Sequence, residues 1–284
     1  VDAQEIFRQS VVQAFIEGYT QGITPNPCLV CNRQVRWGFL LQRALDLGAD
    51  YLATGHYVRL DRDAQGRVQI LRGVDNHKDQ SYVLHMLGQE KLAHALFPLG
   101  GYTKPEVRQL ARDFKLPVAE RAESQDLCFL GNNDYSAFLS RHAPETQQPW
   151  PILTTNGQKL GEHPGLAFFT IGQRKGLKIA APQPLYVLGK DAARNALIVG
   201  TVDQLGGSRL LAHEVNWVSG EIPEAPLRAQ VKVRYKARDA WALVTPLPDA
   251  QAQVDFDEPL RDITPGQAVV FYQDQVCLGG GRII

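Results

Sequence analysis

The chain has 284 residues, 44% of them hydrophobic and 21% charged, with 30 Lys and Arg balancing 30 Asp and Glu. That length holds two or three domains with cores of their own. The zero formal charge excludes a molecule that gathers nucleic acid or anionic membrane through its overall field, so any basic binding face has to be local.

Residues 4 to 19 carry Ile6, Phe7, Val11, Val12, Phe15, Ile16 and Tyr19 at helical spacing, which predicts an amphipathic helix ending near Gly18 and Gly22. It opens without a preceding strand, a basic leader or a run of 18 apolar residues. The expectation is therefore a cytoplasmic protein without a membrane span, continuing a domain whose start lies elsewhere. Pro25 and Pro27 predict an extended approach to Cys28-Leu29-Val30-Cys31. Val35 to Leu47 reads as a helix stopped by Gly48. Tyr51-Leu52-Ala53-Thr54 reads as a short buried strand entering Gly55-His56-Tyr57, and this order suggests an open α/β sheet with its ligand crevice at the carboxyl ends of the strands.

Val58 to Leu60 and Val68 to Leu71, joined by a polar turn, predict a hairpin, and residues 81 to 95 a helix. Thr103-Lys104-Pro105-Glu106 has the form of a capping box opening a helix to about Phe114. From about residue 145 the style changes: Gln147 to Pro151 reads as a linker. Strands are then predicted at 185–188, 196–199, 229–233, 241–244, 253–256, 268–272 and 276–284, the pattern of small β-barrels or a sandwich.

Of four cysteines, Cys28, Cys31 and Cys128 lie in polar, turn-forming surroundings that keep a thiol accessible. The residues alone leave several uses open: half of a zinc site, a redox dithiol, ligands of an iron–sulfur cluster, or a nucleophile. Zinc lacks a second ligand pair in this chain, and a thioredoxin-like role is disfavoured by the extended lead-in. Cys128, between Leu127 and Phe129, also suits a small core filler.

Six strings bear on the choice: Thr24 to Asn32, Ala53 to Tyr57, Lys78 to Tyr82, Ser124 to Phe129, Gly165 to Gly176 and Cys277 to Gly281. In order and spacing they resemble those of the tRNA-specific 2-thiouridylases, the MnmA/TrmU family, from one end of the chain to the other. The resemblance implies an α/β nucleotide-binding domain of the adenine nucleotide alpha hydrolase-like type, a small central α+β module and a C-terminal β-barrel. Expected ranges are 1–145 for the catalytic domain, 146–207 for the central tRNA-binding module and 208–284 for the barrel, with 96–123 as an excursion toward the central module. Family members open with a pyrophosphate loop that holds ATP phosphates. This chain has none, so the expectation is a member lacking roughly its first quarter.

The implied reaction is adenylation, by ATP with Mg2+, of the C2 oxygen of the tRNA wobble uridine, position 34, followed by replacement with persulfide sulfur. Cys128 matches the persulfide carrier and Cys31 the second catalytic cysteine, which in one route leaves a Cys31–Cys128 disulfide and in the other follows direct attack by the persulfide. Gly55 matches an ATP-proximal glycine. Asn26, Pro27 and Cys28 match the segment touching the target base, while His56, Lys78, Asp79, Gln80, Arg234, Tyr235 and Gln267 match tRNA contacts. Gly172-Gln173-Arg174-Lys175-Gly176 is a second basic loop suited to RNA backbone. Implied partners are a tRNA with a wobble uridine and a persulfide-relay donor. The site is expected to lower a thiol pKa, with Lys78 among the cations; Cys277 is read as structural and no resident metal is expected. Two alternatives stand beside this reading: a three-cysteine iron–sulfur sulfur transferase, and a non-catalytic tRNA-binding protein.

Overall fold

A computed structural model describes residues 1–121, 127–130, 134–191, 193–261 and 263–284. The first helix runs without a break through Gln4–Phe7, a π-wound Arg8–Val12 and Gln13–Thr20. Its predicted stripe buries Val11, Phe15 and Tyr19, and Phe15 makes edge-to-face contacts with Phe129 and Phe138 at 5.1 and 6.0 Å. Here the helix packs on the third thiol's neighbourhood and on helix Tyr135–His142, which carries Leu139 into the same cluster.

The first correction concerns the cysteines. Cys28 and Cys31 lie inside a second long helix, built from Pro27–Val30, a π-wound Cys31–Leu40 and Leu41–Asp46. Asn26 precedes it in an extended conformation and Pro27 is its first residue. Proline at this position gives up only an N–H that has no intrahelical partner, and its fixed φ suits the helix, so the residue expected in the extended approach to Cys28 starts a helix instead.

Strand β1 (Leu52–Ala53) pairs in parallel with β4 (Ala95–Leu96), a two-stranded fragment of the expected open sheet. It is less buried than its composition predicts, since Ala53 is exposed. The hairpin is as expected, with β2 (Val58–Arg62) against β3 (Val68–Arg72). Residues 81–95 do not form the predicted helix: Ser81–Val83 is a 3-10 turn and only Gln89–Leu92 is α-helical. Leu84, Leu87 and Leu92 all enter the core, and Gln89 spends its amide on the backbone of Val68 and Val218, bonds that fix a local bend. Thr103 and Glu106 do form the capping box of helix Lys104–Asp113.

The middle of the chain forms a four-stranded sheet in the order β6-β5-β8-β7, from β5 (Trp150–Thr154), β6 (Lys159–His163), β7 (Tyr186–Asp191) and β8 (Ala196–Gly200). The stretch read as a linker thus runs into a strand. The last six strands are β9 (Gly207–Trp217), β10 (Leu227–Lys232), β11 (Ala240–Leu247), β12 (Gln251–Leu260), β13 (Ala268–Gln273) and β14 (Val276–Ile283). They close on themselves through the β13–β14 pairing, forming a six-stranded barrel filled by Ala229, Val231, Val244, Val254 and Phe271.

The barrel is not a separate bead. β14 also pairs with β3, with Cys277 opposite Ile70, so the hairpin extends the barrel sheet. One core cluster accordingly joins Trp37 and Leu41 of the cysteine helix, Ile70 and Tyr82, and Val270, Tyr272 and Cys277 of the barrel. Cys277 is buried there, and burial pushes its thiol up to about 12, which keeps it inert. Among the described residues no helix is long and apolar enough to cross a membrane.

Candidate active site at the cysteine helix

The N-terminus of the cysteine helix presents Cys28, exposed, and Cys31, half-buried, one turn apart; Cys128 is exposed nearby. All three are free thiols close enough to act on one another electrostatically. The Ser124-Gln125-Asp126 part of the Cys128 motif lies outside the described residues. Among the described residues no three His, Cys, Asp or Glu side chains are placed to hold a metal ion.

The expected lowering of the thiol pKa is corrected here for two of the three. Although Cys28 is exposed at the surface, the protein atoms crowded around its sulfur desolvate the thiolate and push its pKa up, and the neighbouring sulfurs of Cys31 and Cys128 push it further. Burial also raises Cys31. Crowding around the helix start outweighs the one cation acting downward on both, Arg36. Arg36 escaped sequence reasoning, although a signal existed: Cys28, Asn32 and Arg36 recur every four residues and so share one helix face. Lys78, whose amide is bonded to the Asp75 carbonyl at 3.0 Å, is not among the groups that shift Cys28 or Cys31.

From Arg36 a short network reaches the predicted nucleotide turn. Its Nη1 donates to Asn32 Oδ1 and to His56 Nε2, both at 3.1 Å, and Asn32 Nδ2 donates to the Cys28 carbonyl at 3.0 Å. Since guanidinium only donates, His56 Nε2 must be the bare nitrogen, and its Nδ1–H then donates to Thr54 Oγ1 at 2.7 Å. Burial first, and Arg36 second, press the His56 pKa down to about 4. Gly55, beside it, is exposed at the end of β1; a Cβ there would meet only Leu99 Cδ1 at 3.6 Å. The protein's own packing therefore does not require glycine at that point, and the space is open to a ligand.

His85, fully buried with Nδ1 facing the Tyr82 carbonyl at 2.8 Å, is likewise pushed by burial down to about 4. Both rings stay neutral in the fold but take up a proton in the unfolded chain below about pH 6.5. Their contribution is therefore complete above that pH and shrinks as pH falls toward 4. The unfolding free energy is expected to be about 2 kcal/mol lower per ring at pH 5 than at pH 7. Urea titrations at the two pH values check this, and equal free energies would refute it.

The remaining predicted residues collect around the same region by different routes. Gln80 pairs with the Tyr57 backbone, its N–H to the carbonyl at 3.1 Å and its Oε1 to the amide at 3.0 Å, which sets the Lys78–Gln80 segment beside His56. Gln267 of the barrel donates to the Thr24 carbonyl at 2.8 Å, bracing the chain just ahead of Asn26. Arg234 reaches Ile171 O at 3.3 Å and Thr264 Oγ1, linking the barrel to the central module. Tyr235 meets the Tyr82 ring edge-on at 6.2 Å. Arg174 and Lys175 are exposed on their loop, close to the carbonyl that Arg234 holds.

Asp79 is turned inward. Its Oδ1 accepts from the Gly73 and Ser81 amides at 3.0 and 3.1 Å, and its Oδ2 from Ser81 Oγ at 2.8 Å. The Tyr272 hydroxyl in turn donates to Ser81 Oγ at 3.1 Å. Asp79→Asn leaves part of this buried set unmatched and is expected to cost about 2–3 kcal/mol, read as a lower urea midpoint. An unchanged midpoint would show that the carboxylate is not structural.

Three family profiles tile the chain: a tRNA methyl transferase HUP domain on residues 1–132, a tRNA methyl transferase PRC-barrel domain on 136–201 and an aminomethyltransferase β-barrel domain on 208–283. The tRNA-specific 2-thiouridylase MnmA of Moorella thermoacetica is 48% identical over 282 residues, which span 99% of this chain and 79% of the relative. That of Magnetococcus marinus is 48% identical over 284 residues, 100% of this chain and 79% of the relative. The chain belongs to the tRNA-specific 2-thiouridylase family. Across the family match, the HUP part carries the cysteine helix and the His56 turn, while the PRC-barrel part carries the Arg174–Lys175 loop. The family β-barrel brings Arg234 and Gln267 against both.

Proposed function

We propose that this 2-thiouridylase-family chain replaces the C2 oxygen of a tRNA wobble uridine, position 34, with sulfur. The observation that carries the proposal is the meeting of Cys28, Cys31 and Cys128, free and distant in sequence, at one helix start beside the Gly55-His56 turn. The relatives' names supply the substrate, and three accessible thiols suit sulfur transfer better than the methyl transfer in two of the profile descriptions.

Cys128, exposed, is the carrier that receives a persulfide from a relay donor. Cys31, half-buried on the helix, is its partner. In one route the Cys31 thiolate attacks the Cys128 sulfur, its electron pair making the disulfide while the outer sulfur leaves as sulfide. In the other the outer persulfide sulfur attacks C2 first. ATP supplies activation of the C2 oxygen, with AMP as leaving group, and the open approach over Gly55 suits a bound nucleotide. Asn26 and Cys28, on either side of the buried Pro27, face the target base, Lys78, Gln80, Arg234, Tyr235 and Gln267 lie along the path of the RNA, and the buried His56 acts behind them through its bond to Arg36. Phosphate contacts come from local cations such as Arg174 and Lys175, which a chain of zero net charge still provides.

The test uses the chain extended to the length of its relatives, with ATP, Mg2+, unmodified tRNA and a persulfide donor. Nucleoside mass spectrometry should find 2-thiouridine, and peptide mass spectrometry should find added sulfur on Cys128. tRNA binding without either product would leave the protein an RNA binder and overturn the proposal.

A further inference from the structure

We propose that Arg36 is a positioning residue of the sulfur site, the resident cation that favours ionised sulfur on Cys28 and Cys31 while tying the Gly55-His56 turn to the cysteine helix. The inference rests on the sulfur chemistry proposed above and deepens it.

The first observation is clamping. Arg36 Nη1 is held between Asn32 Oδ1 and His56 Nε2, each at 3.1 Å, and Asn32 is itself fixed to the Cys28 carbonyl. The guanidinium is therefore held in place on the side chain face that carries Cys28. The second is that both acceptors are neutral, and no carboxylate pairs with Arg36 among the described residues. Arg33, on the same helix, is by contrast paired with Glu214 at 2.8 Å. Arg36 keeps an unneutralised charge beside the thiols, where it acts on both Cys28 and Cys31.

The arrangement explains a conflict within the site. Burial makes the thiols reluctant to ionise, yet the thiolate is the reacting species, and nucleophilicity is kept high when a thiol ionises near ambient pH. A single clamped cation removes part of the burial penalty on both thiols, which still stay above their ordinary value, and does so without making the sulfur a weak nucleophile. The groups acting on Cys31 are Arg36 and Cys128, and those acting on Cys28 are Cys31, Cys128 and Arg36, so removal of Arg36 takes away the only cation of the set. The same clamp fixes the His56 tautomer, so a nucleotide or base at the turn and the sulfur at the helix share one rigid link.

The test is alkylation of the three accessible thiols by iodoacetamide across pH 6.5 to 9.5, with each cysteine followed by peptide mass spectrometry. It needs neither ATP nor tRNA, so its outcome is separable from failure of the proposed function. In Arg36→Met, Cys31 and Cys28 should react about threefold to tenfold more slowly near neutral pH, with profiles displaced to higher pH. Arg36→Lys should restore most of the rate. Free glutathione alkylated in the same reaction serves as the reference. Coincident Cys28 and Cys31 profiles in wild type and Arg36→Met overturn the proposal. Should Arg36→Met not fold, the wild-type protein decides: raising salt from about 0.05 to 1 M should slow Cys31 relative to free glutathione by screening the cation, and an unchanged ratio overturns it.

Discussion

Cys31→Ser and Cys128→Ser are each expected to reduce 2-thiouridine formation about a thousandfold or more, and the double variant to be no worse than either one. A hydroxyl neither carries a persulfide nor ionises near neutral pH, so serine removes the chemistry while keeping the shape. The lack of further loss in the double variant follows if both sulfurs serve one transfer, because groups acting as a unit are non-additive. Neither side chain supports the core: Cys128 is exposed and Cys31 half-buried at a helix start. Melting of both variants should thus lie within about 0.5 kcal/mol of wild type. The assay is single-turnover thiolation of tRNA by the chain at its relatives' length. Substantial product from Cys128→Ser would remove that residue from the carrier role.

Gly266→Ala is expected to lower stability by about 2–4 kcal/mol and to weaken the site from a distance. Gly266 has φ +90°, in the left-handed region where a side chain is strained, and an added Cβ would fall 2.0 Å from Ile23 Cγ2 and 2.9 Å from the Thr24 carbonyl oxygen. The next residue, Gln267, holds that same carbonyl. Forcing the barrel turn away from Thr24 therefore loosens the segment that delivers Asn26 and Pro27 to the cysteine helix. Urea unfolding gives the stability loss, and the ratio of Cys28 to Cys128 alkylation reports the local shift. A variant with wild-type stability would mean that the barrel and this segment pack more loosely than the fold implies.

Much of the architecture was legible because its signals are local. The stripe through Phe15 and Tyr19, the Thr103–Glu106 capping box and the β2–β3 hairpin formed as their spacing predicts, since each is decided within a dozen residues. The longest strand escaped notice. β9 buries Leu210 and Ala212 and then Val215 and Trp217, so its alternation slips at Glu214, whose φ is +52°. A left-handed residue shifts the pleat and hides the period of two. The 81–95 segment failed in the opposite sense, its apolar residues suiting a helix until Gln89 found partners on Val68 and Val218.

For the site, residue type and order marked Cys28, Cys31, Cys128, Gly55 and His56, because thiols and turn residues are conspicuous where they stand. Arg36 was legible only as a member of the face shared with Cys28 and Asn32, since an arginine on a helix is ordinary until something places a histidine 3.1 Å away. The direction of the thiol shifts was equally out of reach, because it depends on how many atoms crowd each sulfur and not on which residues neighbour it in sequence. The sequence by itself determined the chemistry on offer, its order along the chain and the alternation of modules. The tertiary structure alone decided that Pro27 begins a helix, that Asp79 faces inward, and that the barrel braces Thr24. These are outcomes of long-range packing and burial, whose energies exist only once distant segments meet.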